Sequence, residues 1–175
     1  MSNKLTYKSE SDRIYGATGM AIAVVVVDGQ DYLTSVDVDA PAGEMMRLSE
    51  QFYFSNHQRV AAKDVWHSIL SSFNLMTAMA VGNYLCRSLV GGAIHEEGAL
   101  RTSLEKELLS AGQEECELDP DESQRLFTKH FNYLHQVFSH PGVQSLAHSL
   151  ADNFTSRRQL TVSEISDILS ALRHI

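Results

Sequence analysis

The chain has 175 residues, 43% of them hydrophobic and 21% charged, which suits one domain with a core of its own rather than a disordered tract or a solenoid. A net charge of −8 speaks against nucleic-acid binding, which rests on Lys and Arg contacts to phosphate. Cys86 and Cys116 stand thirty positions apart and form neither a CxxC pair nor a zinc spacing, so free thiols and a cytoplasmic setting are expected.

The chain starts MSNKLTYKSESDR, polar and without an apolar leader, so no signal peptide is expected. Residues 1–18 read as an arm or a short strand. The stretch GMAIAVVVVDGQDYLTSVDVDAP, residues 19–41, reads as a β-hairpin over about 20–38. Asp28-Gly29 supplies the turn signal, because a type I′ turn needs positive φ at both central positions. The second arm alternates, with Tyr32, Thr34, Val36 and Val38 on one side and Leu33, Ser35 and Asp37 on the other. The first arm, 22–27, is apolar throughout. Pairing the arms gives two faces. Val25 and Val27 with Tyr32, Thr34 and Val36 are expected to dock on helices. Ile22, Val24 and Val26 with Leu33 form a second apolar face beside Asp37. That face is expected to bind a partner, unless the N-terminal arm covers it. Free strand edges are rarely left bare, so edge pairing of two hairpins into a homodimer is one expectation.

Pro41 opens a helix expected over 43–54, with Met45, Leu48 and Phe52 on one stripe. A long helix follows over 61–89. Trp66, Ile69, Leu70, Phe73, Met76, Met79, Ala80, Tyr84 and Leu85 recur at helical spacing on it. Small residues there, Ser68, Ser72, Ala78 and Gly82, permit close approach of a neighbour. Residues 65–86 lack Asp, Glu, Lys and Arg over a length that spans a bilayer. His67, Asn74 and Asn83 would each need a partner in hydrocarbon, so a buried central helix is expected, with no membrane partner. Gly91-Gly92 ends it.

Glu96 and Glu97 open a third helix that ends near Gly112. Asp119, Pro120 and Glu122 form a capping box for the next, striped by Phe127, His130, Phe131, Leu134 and Phe138. Pro141 restarts the chain into a helix with Val143, Leu146, Ala147, Leu150 and Phe154. TVSE at 161–164 is a second capping box, before a last helix with Ile165, Leu169 and Leu172. Only six residues follow Leu169, too few for the recognition helix of a helix-turn-helix.

Residues that carry chemistry are scattered. Asp64 and His67 make one carboxylate-x-x-His pair, half of what a di-metal bundle uses. His130, His135 and His140 recur every five residues, and five helical steps leave each about 140° around from the last. They cannot converge on one metal. Asp37, Asp39 and Glu44 hint at a calcium loop, but Pro41 falls where an EF-hand wants an oxygen ligand and Gly43 is off register. No GxSxG, HExxH, P-loop or GxGxxG occurs.

The reading is a mainly α protein. About six helices pack around a long central helix (61–89), with an N-terminal β-hairpin (20–38), in a single domain over 1–175. It is read as a non-enzymatic interaction or assembly protein. Ile22, Val24, Val26 and Leu33 are the partner-binding residues, for a protein partner or a homodimer, and neither cofactor nor metal is expected. The alternative is a small-molecule or metal-dependent helical-bundle enzyme with a core site drawn from Asp64, His67, Asn74, Tyr84 and His130. No catalytic residue is assigned.

Overall fold

The computed structural model describes residues 6–54, 62–92 and 97–174. It is mainly α, with a small antiparallel sheet whose first two strands form an N-terminal hairpin. In chain order come α1 (Glu10–Val26), β1 (Leu33–Asp37), β2 (Met46–Leu48), α2 (Glu50–Phe54), α3 (Ala62–Leu85), α4 (Glu97–Cys116), α5 (Pro120–Ser139), α6 (Pro141–Arg157), β3 (Gln159–Thr161) and α7 (Val162–Ile168).

The first arm of the expected hairpin is helical. Residues 20–26 belong to α1, and the hairpin is built one segment later, from β1 and β2. Two physical facts decide this. Ile14 to Val27 is fourteen residues without a charge, longer than the usual strand. The segment is also buried nearly all round, with Ile22, Ala23 and Val24 fully inaccessible. A strand there would need a partner at each edge, whereas a helix satisfies its own backbone N–H and C=O groups. The β-branched residues resist a helix by no more than about 0.7 kcal/mol each, while fully burying one Val or Ile contributes about 1.5–3 kcal/mol. Packing therefore overrides propensity.

Asp28-Gly29 keeps its special backbone in a different role. Asp28 has φ 58°, and the Gly29 and Asp28 N–H groups donate to Val24 and Val25 C=O at 2.8 and 3.2 Å. That pattern is a Schellman cap ending α1, with Asp28 in the left-handed position.

The sheet has strand order β2-β1-β3. Leu33 lies opposite Leu48 and Val36 opposite Met46, with a bulge between. On the other side Val36 faces Leu160 of β3, so the third strand comes from the C-terminal part of the chain and not from residues 1–18. The helix expected over 43–54 is correspondingly split into β2 and the short α2. Met46 and Leu48 are spent on strand pairing, and only Glu50–Phe54 is helical.

From 62 onward the expected helices stand, with α4 running on to Cys116 past its expected end near Gly112 and the unexpected β3 set between α6 and α7. The long helix runs over α3 and continues as a π turn, Cys86–Val90, before Gly92 at φ 62°. Both capping boxes form: Asp119 accepts from Glu122 N at 2.7 Å, and Thr161 and Glu164 cap α7 reciprocally. His140 ends α5 and caps α6 through Nδ1, which accepts from Gly142 N at 3.1 Å. The centre of the bundle is the α1–α3 pair, with α4 and α5 against α3 and α6 against α1. Trp66–Val90 is long and apolar enough to cross a membrane, and 61% of its most apolar window is buried among the other elements.

Candidate functional site

Of the residues expected to bind a partner, Ile22, Val24 and Leu33 lie inside the core, at 0%, 0% and 3% exposure. They present no surface, because the strand face that was to carry them is a buried helix. Val26, at the C-terminus of α1, is half-buried and does reach a surface. It lines a shallow groove of about 240 Å³ with Val25, Tyr133, Leu169 and Leu172, edged by Asp28, Gln30 and two serines. The Tyr133 hydroxyl donates to Val26 C=O at 3.0 Å, holding an otherwise exposed ring across the end of α1.

The most elaborate polar cluster lies between α1 and α3. Asp12, Gly16, Gly19 and Ala23 are spaced by four, three and four and so share one face of α1. A Cβ on Gly19 would sit 2.1 Å from Gly82 C=O, and one on Gly82 would sit 2.5 Å from Gly19 C=O, so the two helices touch backbone to backbone. The expected role of Gly82 is met, with α1 as the neighbour. At the end of this contact Arg87 forks onto Asp12, Nε to Oδ1 at 2.5 Å and a terminal nitrogen to Oδ2 at 2.7 Å, both side chains being buried. Arg87 also reaches Asn83 Oδ1 and Thr6 C=O, and its guanidinium lies 4.9 Å from the Tyr7 ring centroid. Asn83 donates to the Tyr7 hydroxyl at 2.9 Å. Burial, first of all, pushes that phenol above its ordinary range. Every charge here has a partner. The cluster straps the 6–9 segment to the helix pair, as a buried ion pair must be satisfied to be tolerated.

Among the residues of the alternative reading, Asn74 and His130 do meet, Oδ1 to Nε2 at 3.1 Å, while Asn74 Nδ2 donates to Leu70 C=O. Burial and then nearby Lys129 hold His130 below its ordinary pKa, in the neutral form. His67 is exposed against Trp66, and the side chain of Asp64 lies outside the described residues. Tyr84 is elsewhere, packed near Phe131. These residues do not converge on one place. Among the described residues, no three of His, Cys, Asp and Glu are grouped to hold a metal ion. Asp37 pairs with Arg47 at 3.2 Å and Asp39 with Arg158 at 2.5 Å, which uses two of the three carboxylates of the would-be calcium loop. Both cysteines are free and buried. Burial raises the Cys86 thiol far above its ordinary range. Burial, and then Glu115, raises that of Cys116.

A second depression lies between the π turn, α4 and α5. It measures about 270 Å³ and is lined by Tyr84, Leu85, Ser88, Leu89, Gly98, Arg101, Phe131 and His135. The Arg101 guanidinium carbon lies over Phe131, 4.2 Å from the ring centroid, and His135 stacks on the same ring at 6.2 Å and 25°. Sequence reasoning passed over Arg101 altogether. Its only signal was a cation beside the Leu100, Leu104 and Leu108 stripe.

In comparison with known proteins, no family model matches the chain, and neither the curated proteins nor the solved structures give a match.

Proposed function

We propose that the protein is a non-enzymatic interaction or assembly protein of the cytoplasm, and that it binds through the groove at the C-terminal end of α1. The observation that carries this reading is the groove itself, an aliphatic floor of Val25, Val26, Leu169 and Leu172 under the half-exposed Tyr133 ring. Aromatic side chains at the edge of an apolar depression are what interface hot spots are made of. The core polar residues support it from the other side, since Asn74 and His130, and Asp12, Arg87 and Asn83, are bonded to one another. Two free, buried thiols fit a reducing compartment.

The occupant is a basic protein segment that inserts an aliphatic side chain. Asp28 lines the groove, and Asp31 and Asp167 each follow a lining residue in the chain. One cation, Arg173, likewise follows a lining residue, so the lining and its chain neighbours carry three carboxylates against one cation, on a protein of net charge −8. Like charge disfavours a second copy and favours a cation-rich partner.

The test uses a fluorescent ten-residue Lys/Leu peptide, a Glu/Leu control, and the variant Val26→Asp checked by circular dichroism. Adding a carboxylate strengthens any diffuse electrostatic attraction but blocks an apolar pocket. Binding of the Lys/Leu peptide alone, weakened about tenfold or more by Val26→Asp, is the expected outcome. Equal or tighter binding by the variant overturns the reading. A dimer in light scattering that Val26→Asp dissociates would give the groove to a second copy instead.

A further inference from the structure

The depression over Phe131 differs in chemistry from the rest of this acidic surface. Among the described residues, its lining carries one fixed cation, Arg101, one titratable ring, His135, and two hydroxyl residues, but no carboxylate. Leu85, Leu89 and Phe131 supply apolar wall. Arg101 is exposed, and among the described residues no carboxylate is paired with it. Glu105, one turn further along α4, is occupied elsewhere, its Oε1 accepting from Gln124 at 2.6 Å.

The geometry of Arg101 is the central point. A guanidinium held over an aromatic ring is attracted through its cationic carbon and keeps N–H groups at its rim for an acceptor. The contact also limits the rotamers the side chain must surrender when it binds, so less entropy is lost on ligation. Phe131 is itself held in a run of rings, 5.7 Å from Phe127 and 6.2 Å from Tyr84, which fixes the platform. Planar, bidentate donors match a carboxylate or a phosphate, and a single cation beside an apolar wall suits the singly charged carboxylate on a short hydrocarbon or aromatic tail. The volume lies just below the usual range of ligand pockets, which limits the occupant to a small molecule.

We infer that this depression binds a small amphiphilic monocarboxylate, its carboxylate on Arg101 and its ring or short chain against Phe131, Leu85 and Leu89. The site lies apart from the groove of Val26 and stands without it.

The probes are 3-phenylpropanoate and hexanoate, titrated into 15N-labelled protein and followed by amide chemical shifts. The neutral 3-phenylpropanamide and the tailless acetate serve as controls. The expected result is saturable shifts confined to residues of α4, α5 and the π turn, for the two tailed acids. The amide should bind at least about tenfold more weakly, since a hydrogen bond to a charged group contributes roughly one to two decades of affinity, and acetate should weaken by at least a similar factor because it buries no apolar tail. Arg101→Gln, at an exposed position, should lose binding by a similar factor, and Arg101→Lys should recover only part of it because a point charge lacks the fork. Equal binding of the amide refutes the carboxylate role, and equal binding of acetate refutes the apolar wall. Unchanged binding by Arg101→Gln, or shifts that map elsewhere, refutes the site.

Discussion

The glycine contact between α1 and α3 gives the sharpest stability prediction. Gly19→Ala places a methyl 2.1 Å from Gly82 C=O and 2.6 Å from the Cys86 side chain, where ordinary contact starts at 3.4 Å. The shortfall is 1.3 Å, and the obstacle is backbone, which cannot rotate away. Either α1 or α3 must therefore shift outward by about that amount along the contact. A radial gap of 0.5–1 Å already forfeits a quarter to a half of each dispersion well along the interface. Overpacking of this kind costs about 1–3 kcal/mol, and a backbone obstacle puts Gly19→Ala at the upper end. Against this, Ala gains about 1 kcal/mol over Gly in a helix interior. The net loss is about 2 kcal/mol, which for a chain of this size lowers the melting temperature by roughly 4–8 °C. Gly82→Ala, with its Cβ 2.5 Å from Gly19 C=O, should behave alike. Gly43→Ala is the control, because nothing lies within 4 Å of its Cβ and its φ is not positive. It should be neutral or raise stability by up to about 1 kcal/mol. Thermal unfolding followed at 222 nm reads all three. A Gly19→Ala protein that melts with the wild type, or above it, would show that the helices do not meet at their glycines.

Two further outcomes follow from the buried polar groups. Arg87→Met strands the Asp12 carboxylate in the core and should cost about 3–5 kcal/mol in urea unfolding, while Asp12→Leu/Arg87→Met should recover part of that loss; costs that simply add would show the two groups to be uncoupled. His130 is held below its ordinary value of 6.5 by burial, so the unfolded chain takes up a proton before the folded one does. Its contribution is complete above about pH 6.5 and fades as pH falls through the lower folded-state value. The urea midpoint should drop on acidification from pH 8 to pH 5, and His130→Gln should drop less; parallel curves for the two proteins would remove His130 from the account.

Helix ends were legible because their chemistry is local. A capping box needs two side chains three residues apart, and both Asp119/Glu122 and Thr161/Glu164 satisfy it wherever the helix is packed. The stretch over 19–39 was not, because its signals are ambiguous at short range. Positive φ at Asp28 serves a hairpin turn or a Schellman cap equally well. Four consecutive valines favour a strand until burial on all sides is known. The discriminating features were the fourteen-residue uncharged run and the 16–19–23 spacing of Gly, Gly and Ala, which has a meaning only on a helix that touches another.

The sites show the same boundary between local and assembled information. Arg87 sits one residue beyond the uncharged window of the long helix, at its buried end, where a lone cation has to find a carboxylate. Asp12, one turn before Gly16 on the glycine face, is the natural candidate once α1 is known to be a helix. That pair was therefore legible in principle, and the strand reading of 22–27 concealed it. The groove and the Phe131 depression were not legible in this way. Val26, Tyr133 and Leu172 come from three separate elements, and Arg101 and His135 from two helices joined through an intervening turn. No spacing within one helix brings Arg101 over Phe131. Their meeting depends on how α4 and α5 pack on α3. A positively charged platform in a chain of net charge −8 therefore arises from packing, which composition averages away.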